Sequence, residues 1–448
     1  MKFHGTMKIN ELGHLEIGEC DTVELSKRFG TPLIIMDESQ IRQTCRKYYH
    51  YFTERHQNTE VIYASKAFIS PAICKIIESE GLGLDVVSGG ELYTALEADF
   101  PAEKIYFHGN NKSPQELSMA LENKVGRIVI DNFYELDMLN KLAEVFKVKA
   151  NILLRITPGI EAHTHEYIKT GQIDSKFGFT MPNGQALEAV KTAISLPNIE
   201  LHGLHCHIGS QIFEMESYRH AAKVMMKFIQ KINKELNFVV SELNLGGGFG
   251  IYYKDGDNPA QLKNYAETVI NTVKDEARIR GLVIPKIIVE PGRSIAGPAG
   301  TTIYSIGSIK DIPGVRKYVA VDGGMADNIR PALYEAVYEA IVANKANEQP
   351  EEVVSITGKC CESGDMLIWD IKLPKVEAGD ILAVACTGAY GYSMASNYNS
   401  LGKPAVVLVN EGEADIIIKR EAYKDILKNH VIPERLKNNK GISCEYMS

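Results

Sequence analysis

A lysine closes the segment Val61-Ile62-Tyr63-Ala64-Ser65-Lys66, and its setting is what makes it a reagent. The apolar, β-prone residues before it predict a strand, which leaves Lys66 at the mouth of a sheet. Desolvation there disfavours the ammonium form and predicts a lowered pKa, giving a neutral amine able to form a Schiff base. A solvated strand-end lysine would have none of that chemistry, so the company Lys66 keeps decides its reading.

Further motifs supply that company. Gly246-Gly247-Gly248 leaves backbone N–H groups unshielded, so that it is either a phosphate cradle or simply a bend. In Glu290-Pro291-Gly292-Arg293 the carboxylate can pair with a protonated pyridine nitrogen, and the Arg293 fork suits a phosphate or a substrate carboxylate. The alternative is an internal Glu–Arg salt bridge. His205-Cys206-His207-Ile208-Gly209-Ser210 places two histidines on one face of a strand. Either His207 stacks on a flat cofactor ring with Ser210 at its phosphate, or the two histidines bind a metal. A metal would need further ligands on the first and last strands, and the first strand delivers Lys66 instead, so no metal is expected. A second pair, His163-Thr164-His165, falls in a predicted loop and is not expected to be a ligand pair.

Cys360-Cys361-Glu362-Ser363-Gly364-Asp365 offers a thiol, a competent proton donor near working pH, and a carboxylate for a substrate ammonium; by itself it is equally a turn with a buried cysteine. Arg330 and Tyr334 add a second guanidinium and a phenol, and two arginines suit a substrate with more than one carboxylate. Tyr390, in Gly388-Ala389-Tyr390-Gly391-Tyr392, either caps a cofactor or fills a core. Together these are the parts needed to hold pyridoxal phosphate and to decarboxylate an amino acid on it.

The elements that must position these parts follow a rhythm. Eight short apolar runs recur: 61–65, 84–87, 104–107, 127–130, 150–156, 201–206, 243–245 and 287–289. Helical patterns with apolar residues at three-and-four spacing lie between them, for example at 71–80, 133–145 and 262–280. Eight alternations predict a (β/α)8 TIM-like barrel rather than an open doubly wound sheet, with the reactive residues gathered at the C-terminal strand ends. After about residue 297 strand-like runs dominate, and the opening segments 12–17 and 32–36 are strand-like too. The expected organisation is a barrel over 37–296 and a discontinuous β-rich domain made of 1–36 and 297–448, with a helical tail at 420–430.

Composition narrows the partners. The 448 residues carry a net charge of −8, which disfavours nucleic acid, and no apolar run is long enough to span a membrane. The first residues lack the apolar core of a signal peptide, so a cytoplasmic location is expected. The 8 cysteines include no C-x-x-C pair, so neither a disulfide framework nor a zinc knuckle is expected; most should be buried, reduced and inert.

Taken together, Tyr63-Ala64-Ser65-Lys66, Asp85-Val86-Val87-Ser88-Gly89-Gly90-Glu91-Leu92, Gly203–Gln211, Glu290–Arg293 and Cys361–Asp365 resemble the diaminopimelate decarboxylases of the alanine-racemase-like barrel class. The stretch 163–171 leading to Ser175-Lys176-Phe177-Gly178 also resembles that family rather than its ornithine or arginine relatives. The resemblance implies pyridoxal 5′-phosphate as cofactor, and Lys66 as the residue that carries it. It implies Asp85 near Lys66, His207 stacked on the ring, and Ser210, Gly247, Gly248, Glu290, Gly292 and Arg293 around the phosphate and pyridine. It implies Arg293, Arg330, Tyr334, Glu362 and Tyr390 as the substrate set, with Tyr390 touching the cofactor as well, and Cys361 as the proton donor. It further implies an obligate homodimer in which Cys361 and Glu362 enter the site of the other subunit. The implied reaction forms L-lysine and carbon dioxide from meso-2,6-diaminopimelate; related decarboxylases of ornithine, arginine or carboxynorspermidine are the alternative. Lys359-Cys360 departs from the family's usual Gly-Pro ahead of Cys361.

Overall fold

The computed structural model describes residues 1–159 and 174–437. The expected loop with His163 and His165, and Cys444, lie outside the described residues.

Among the described residues, eight parallel strands close into a barrel: β1 (Thr59–Ala64), β2 (Gly83–Val86), β3 (Ile105–Phe107), β4 (Arg127–Ile130), β5 (Ala150–Thr157), β6 (Ile199–His205), β7 (Glu242–Asn244) and β8 (Lys286–Val289). Closure is made by β8 on β1, with Val289 opposite Val61, and by β4 on β5, with Ile130 opposite Leu154. The open-sheet alternative is thereby excluded. The predicted runs match these strands to within a residue or two at each end.

The two-residue period of a strand sorts the side chains into an outer and an inner set. On β1, Val61 and Tyr63 pack outward into the main core while Ile62 points inward. Tyr106, Val129, Leu153 and Ile288 do the same on β3, β4, β5 and β8, and with Ile62 they form a separate apolar plug in the barrel axis. Two residues earlier along the strands, the inward positions are polar. Glu60 accepts from Tyr106 at 2.8 Å and pairs with Lys286 at 2.5 Å, and Arg127 grips Glu242 through two nitrogens at 2.6 and 2.9 Å. Two residues later the inward positions are His108, Asp131, Arg155 and Glu290. The barrel is thus sealed below by ion pairs and in the middle by aliphatic side chains, and its reactive groups lie above.

The helices wrap this barrel on the outside. Pro71–Ser79, Gly89–Glu97, Pro114–Glu122 and Phe133–Phe146 follow the first four strands, and each begins with a serine or asparagine whose side chain accepts from a backbone N–H of the first turn. Ser88 and Asn132, polar strand exits in the sequence, are used in this way as caps. The long helices Met215–Leu236 and Leu262–Arg280 pack on each other. The helix after β8 is only Arg293–Ala296, and Glu38–Tyr48, which precedes β1, packs beside it; the Tyr48 hydroxyl lies 2.7 Å from Ser294 Oγ.

Beyond the barrel, a strand absent from the sequence reading, β9 (Gly300–Ile312), is the longest in the second sheet. Leu33–Asp37 lies between β9 and Ala405–Asn410, so the segment before the barrel completes a sheet made after it. The other opening segment differs from expectation: only Leu15–Ile17 is a strand, and it pairs with Lys8–Ile9 and Cys20–Asp21 in a small sheet of its own. Instead of a helix over 420–430, the described tail holds two four-residue helices, Tyr423–Ile426 and Glu434–Lys437, because residues 427–433 between them bury nothing.

Candidate active site

A cavity of about 690 Å³ opens at the C-terminal mouth of the barrel. Lys66, His207, Ser210, Gly247, Gly248, Glu290, Gly292, Arg293, Arg330, Tyr334 and Tyr390 all line it. These residues come from segments spread over more than 300 positions, and the barrel brings them to one rim.

Lys66 sits in the turn Ser65–Ala67 at the end of β1. Burial pushes its pKa down, as expected, but Asp85, Tyr390 and Glu290 outweigh that effect and the net shift is upward. The expected lowering of the Lys66 pKa is therefore corrected: acidic side chains from β2 and β8 turn the net shift upward and favour the ammonium form. Asp85 is fully buried beneath the cavity floor rather than on its surface, and both its oxygens lack a hydrogen-bond partner. Burial raises its pKa.

Glu290 behaves in the opposite way. Its Oε1 lies 2.9 Å from Nε2 of His108 and accepts from Asn244 Nδ2 at 2.7 Å, and its Oε2 lies 3.3 Å from Nε2 of His205. Burial alone would raise this carboxyl, yet His108 and His205 hold it well below the usual carboxylate range. His108 also stands 3.8 Å from Asp85, between the two acids. One carboxyl is thus kept ionised and its neighbour pushed toward its acid form, the separation that fixes which of two acids carries a proton. His205 is buried and its pKa falls to about 4; His207, whose pKa is also lowered by burial, Lys66 and Arg155, accepts from the Gly247 N–H through Nδ1 at 3.3 Å. The nitrogens of His108 and His205 and a Glu290 oxygen fall within 4.8 Å of one another, whereas His207 is not part of that group, so the metal alternative raised for His205 and His207 does not describe this geometry.

The glycine turn is built for close approach. Gly246 and Gly248 adopt φ of 68° and 96°, where side chains are strained. A Cβ on Gly247 would lie 2.1 Å from the Glu290 carbonyl oxygen, and one on Gly248 2.3 Å from that of Gly209. Gly292 is confined less tightly, a Cβ there lying 2.9 Å from Ala64. Beside this turn, Arg293 donates to Ser210 Oγ at 2.9 Å and to the Tyr253 hydroxyl at 2.7 Å, and its guanidinium lies 4.8 Å from the centre of the Tyr390 ring. Arg293 therefore makes no salt bridge with Glu290 within its own turn. Tyr390 holds φ of 60°, fixed by its N–H donating to the Ala67 carbonyl at 2.8 Å, so a strained residue is tied directly to the Lys66 turn.

Cys361 and Glu362 stand apart from this cavity. Both are exposed, on a loop pinned by the buried Asp365, which accepts from Met325 N at 2.7 Å and Cys360 N at 2.8 Å. The Cys361 N–H donates to Asn399 Oδ1 at 2.6 Å. The turn with a buried cysteine does not exist at Cys361; Cys360 is the partly covered thiol, pushed up to about 11 by burial and Asp365.

Four cavity or supporting residues were not singled out in the sequence: His108, Arg155, Asn244 and Tyr253. Arg155 lies over the Phe177 ring at 4.2 Å, and burial lowers its pKa. A signal existed for three of them, since each is a polar residue two positions beyond, or next to, an apolar strand residue of fixed direction.

The site fits pyridoxal phosphate on its own features: a glycine cradle that no side chain could share, a carboxylate held ionised at the far wall, a lysine at the near wall, and a buried acid with unused oxygens behind it. Comparison with known proteins agrees. The family model for the pyridoxal binding domain of pyridoxal-dependent decarboxylases matches residues 38–297. The diaminopimelate decarboxylases of Bacillus methanolicus and Bacillus subtilis are 56% and 55% identical to the chain, over 94% and 96% of it and 98% of each relative. The crystal structure of the diaminopimelate decarboxylase of m. jannaschii in co-complex with L-lysine superposes with a TM-score of 0.90 at 37% identity, covering 97% of this chain and 99% of that one. Fold and site define a pyridoxal-dependent decarboxylase. Within that class, the chain belongs to the diaminopimelate decarboxylase family.

Proposed function

We propose that the protein removes one carboxylate from meso-2,6-diaminopimelate, giving L-lysine and carbon dioxide, with pyridoxal 5′-phosphate as its cofactor. The observation that carries this reading is that Lys66 and Glu290 face one cavity from β1 and β8, strands paired in register, with the Ala64 N–H donating to the Pro291 carbonyl at 3.0 Å. When bound, the cofactor supplies an electron sink for the pair released with carbon dioxide.

This chain's residues supply the rest. Lys66, lining the cavity at the end of β1, would hold the cofactor through its amine. Asp85 is the buried acid that acts most strongly on Lys66 and takes part in setting its protonation. Glu290, kept anionic by His108 and His205, would accept from the cofactor's pyridine N–H and so keep the sink strong. His207 would lie against the cofactor ring, and Ser210 with the N–H groups of Gly247 and Gly248 would hold its phosphate. Arg293 and Arg330, with Tyr334 and Tyr390, bind the carboxylate that the product retains, a group ornithine-like substrates lack at that end.

Cys361 and Glu362 are the remaining parts, and they face solvent in a single chain. In this reading they complete the cavity of a second copy: Cys361 Sγ returns a proton to the carbon that has lost its carboxylate, and Glu362 accepts from the distal ammonium. The protein is then a homodimer. The chain is read as two domains, a barrel over 37–296 and a β-rich domain from 1–36 and 297–448, working in the cytoplasm; no helix among the described residues is long and apolar enough to cross a membrane. Incubating the purified holoenzyme with meso-diaminopimelate, ornithine, arginine and carboxynorspermidine tests the assignment: lysine and carbon dioxide from the first substrate alone support it, and release from another in preference overturns it.

A further inference from the structure

The loop that leaves the glycine cradle ends on a tyrosine with no role in the reading above. Tyr253 is buried, lines the cavity, and its hydroxyl oxygen accepts from two guanidinium groups at once: Arg293 Nη1 at 2.7 Å and Arg330 Nη1 at 3.1 Å. A phenol oxygen has two lone pairs and one proton. Both lone pairs are used by the arginines, and among the described residues the hydroxyl donates to nothing.

The placement of this phenol is over-determined. Gln211 clamps Ile251 through both its amide atoms, donating to the Ile251 carbonyl at 2.7 Å and accepting from its N–H at 3.1 Å. The Tyr253 N–H donates to Asp257 Oδ2 at 2.9 Å, and its ring meets Tyr338 edge-on with centroids 5.5 Å apart. Tyr338 is the second phenol bonded to Arg330. Two like charges from distant segments, one after β8 and one in Arg330–Tyr334, are therefore held side by side by a neutral oxygen on a rigid loop. Left to themselves, two guanidinium groups would repel and turn outward.

We propose that Tyr253 is a specificity-determining residue of the subsite for the retained carboxylate: it sets the spacing of Arg293 and Arg330 and adds its own hydroxyl as a third donor to that carboxylate. This inference rests on the assignment of the two arginines to the retained carboxylate. It ties the carboxylate subsite to the phosphate cradle, because Gly248 and Tyr253 belong to one short clamped loop.

The test is Tyr253→Phe in the holoenzyme, which keeps the ring and its contact with Tyr338. Two competitive ligands are compared: L-lysine, which carries the carboxylate, and 1,5-diaminopentane, which has the same amines without it. The expected result is a loss of lysine inhibition of about tenfold to a hundredfold, the range for a lost hydrogen bond to a charged group, with unchanged inhibition by the diamine. KM for meso-diaminopimelate should rise by more than kcat falls. Unchanged lysine inhibition overturns the inference. So does an equal loss for both ligands, which is the signature of a loosened pocket. A wild-type enzyme that does not distinguish lysine from the diamine overturns the arginine assignment itself, and that outcome is read without the variant.

Discussion

Glu290 Oε1 lies 2.9 Å from Nε2 of His108, and both residues are buried at the floor of the cavity. The contact joins the end of β3 to the end of β8 across the barrel mouth. It holds ionised a carboxylate that burial would otherwise protonate, and a strong electron sink requires that ionised form.

Replacing His108 with Phe should therefore weaken the sink without removing the cofactor. The expected outcome is retained pyridoxal phosphate, a shifted cofactor absorbance and a turnover reduced about tenfold or more, since one pKa unit on Glu290 corresponds to about 1.4 kcal/mol. Visible spectra and carbon dioxide release, measured against pH, check this; a pH profile identical to that of the wild type would remove His108 from the account.

Acid should destabilise the protein earlier than its carboxylates alone predict. His205 has its pKa lowered to about 4 by burial, against an ordinary value of 6.5. Between these values the unfolded chain binds a proton that the folded chain does not. Stability is therefore full above 6.5 and falls as pH drops toward 4, by on the order of 3 kcal/mol from this residue. His207, lowered in the same direction, adds to the loss, and Glu290 adds a further loss at lower pH still. Melting temperatures recorded from pH 7 to pH 4 should fall steeply, and less steeply in His205→Asn.

Gly247→Ala should damage the cradle more than the fold. The new methyl would meet the Glu290 carbonyl oxygen at 2.1 Å, so the end of β8 must shift. Overpacking of this kind costs about 1–3 kcal/mol, and cofactor affinity should fall by a larger factor because the phosphate N–H groups move together. Calorimetric melting and titration with pyridoxal phosphate separate the two effects.

Lys66→Ala should abolish covalent attachment of the cofactor and reduce turnover to background, whereas Cys361→Ala should load the cofactor normally and melt within about 0.5 kcal/mol of wild type, as expected for an exposed side chain. Mixing the two inactive variants then tests the shared site. If Cys361 serves the partner's cavity, random dimers regain about a quarter of wild-type activity, since half are mixed and each mixed dimer has one complete site. No regained activity after verified subunit exchange would place the thiol elsewhere.

Much of this architecture was legible in the residues. The alternation of apolar runs and helical stretches sufficed for the barrel, and the barrel reading placed the reactive residues at its C-terminal mouth. What stayed hidden depends on contacts between distant segments. The direction of the Lys66 shift is set by Asp85 and Glu290, which lie 19 and 224 positions away in sequence and beside it in space. Arg155 reads as an interruption in an apolar strand until Leu153 is seen to face the barrel axis, which turns Arg155 into the cavity. Tyr253 follows a tyrosine and carries no motif; only the convergence of two arginines on its hydroxyl distinguishes it. The strand β9 escaped because Gly300–Ile312 mixes threonine, serine and lysine with its apolar residues, and its pairing with Leu33–Asp37 joins parts of the chain that the barrel separates.

The central claim is a cofactor shared between Lys66 and Glu290 and used to remove carbon dioxide from one substrate. Its most direct test is to incubate the holoenzyme with meso-diaminopimelate and follow lysine and carbon dioxide together, before and after stripping pyridoxal phosphate. The account predicts equal amounts of both products, lost on stripping and regained on adding the cofactor back. Product formation that survives stripping, or no carbon dioxide from the loaded enzyme, would contradict it.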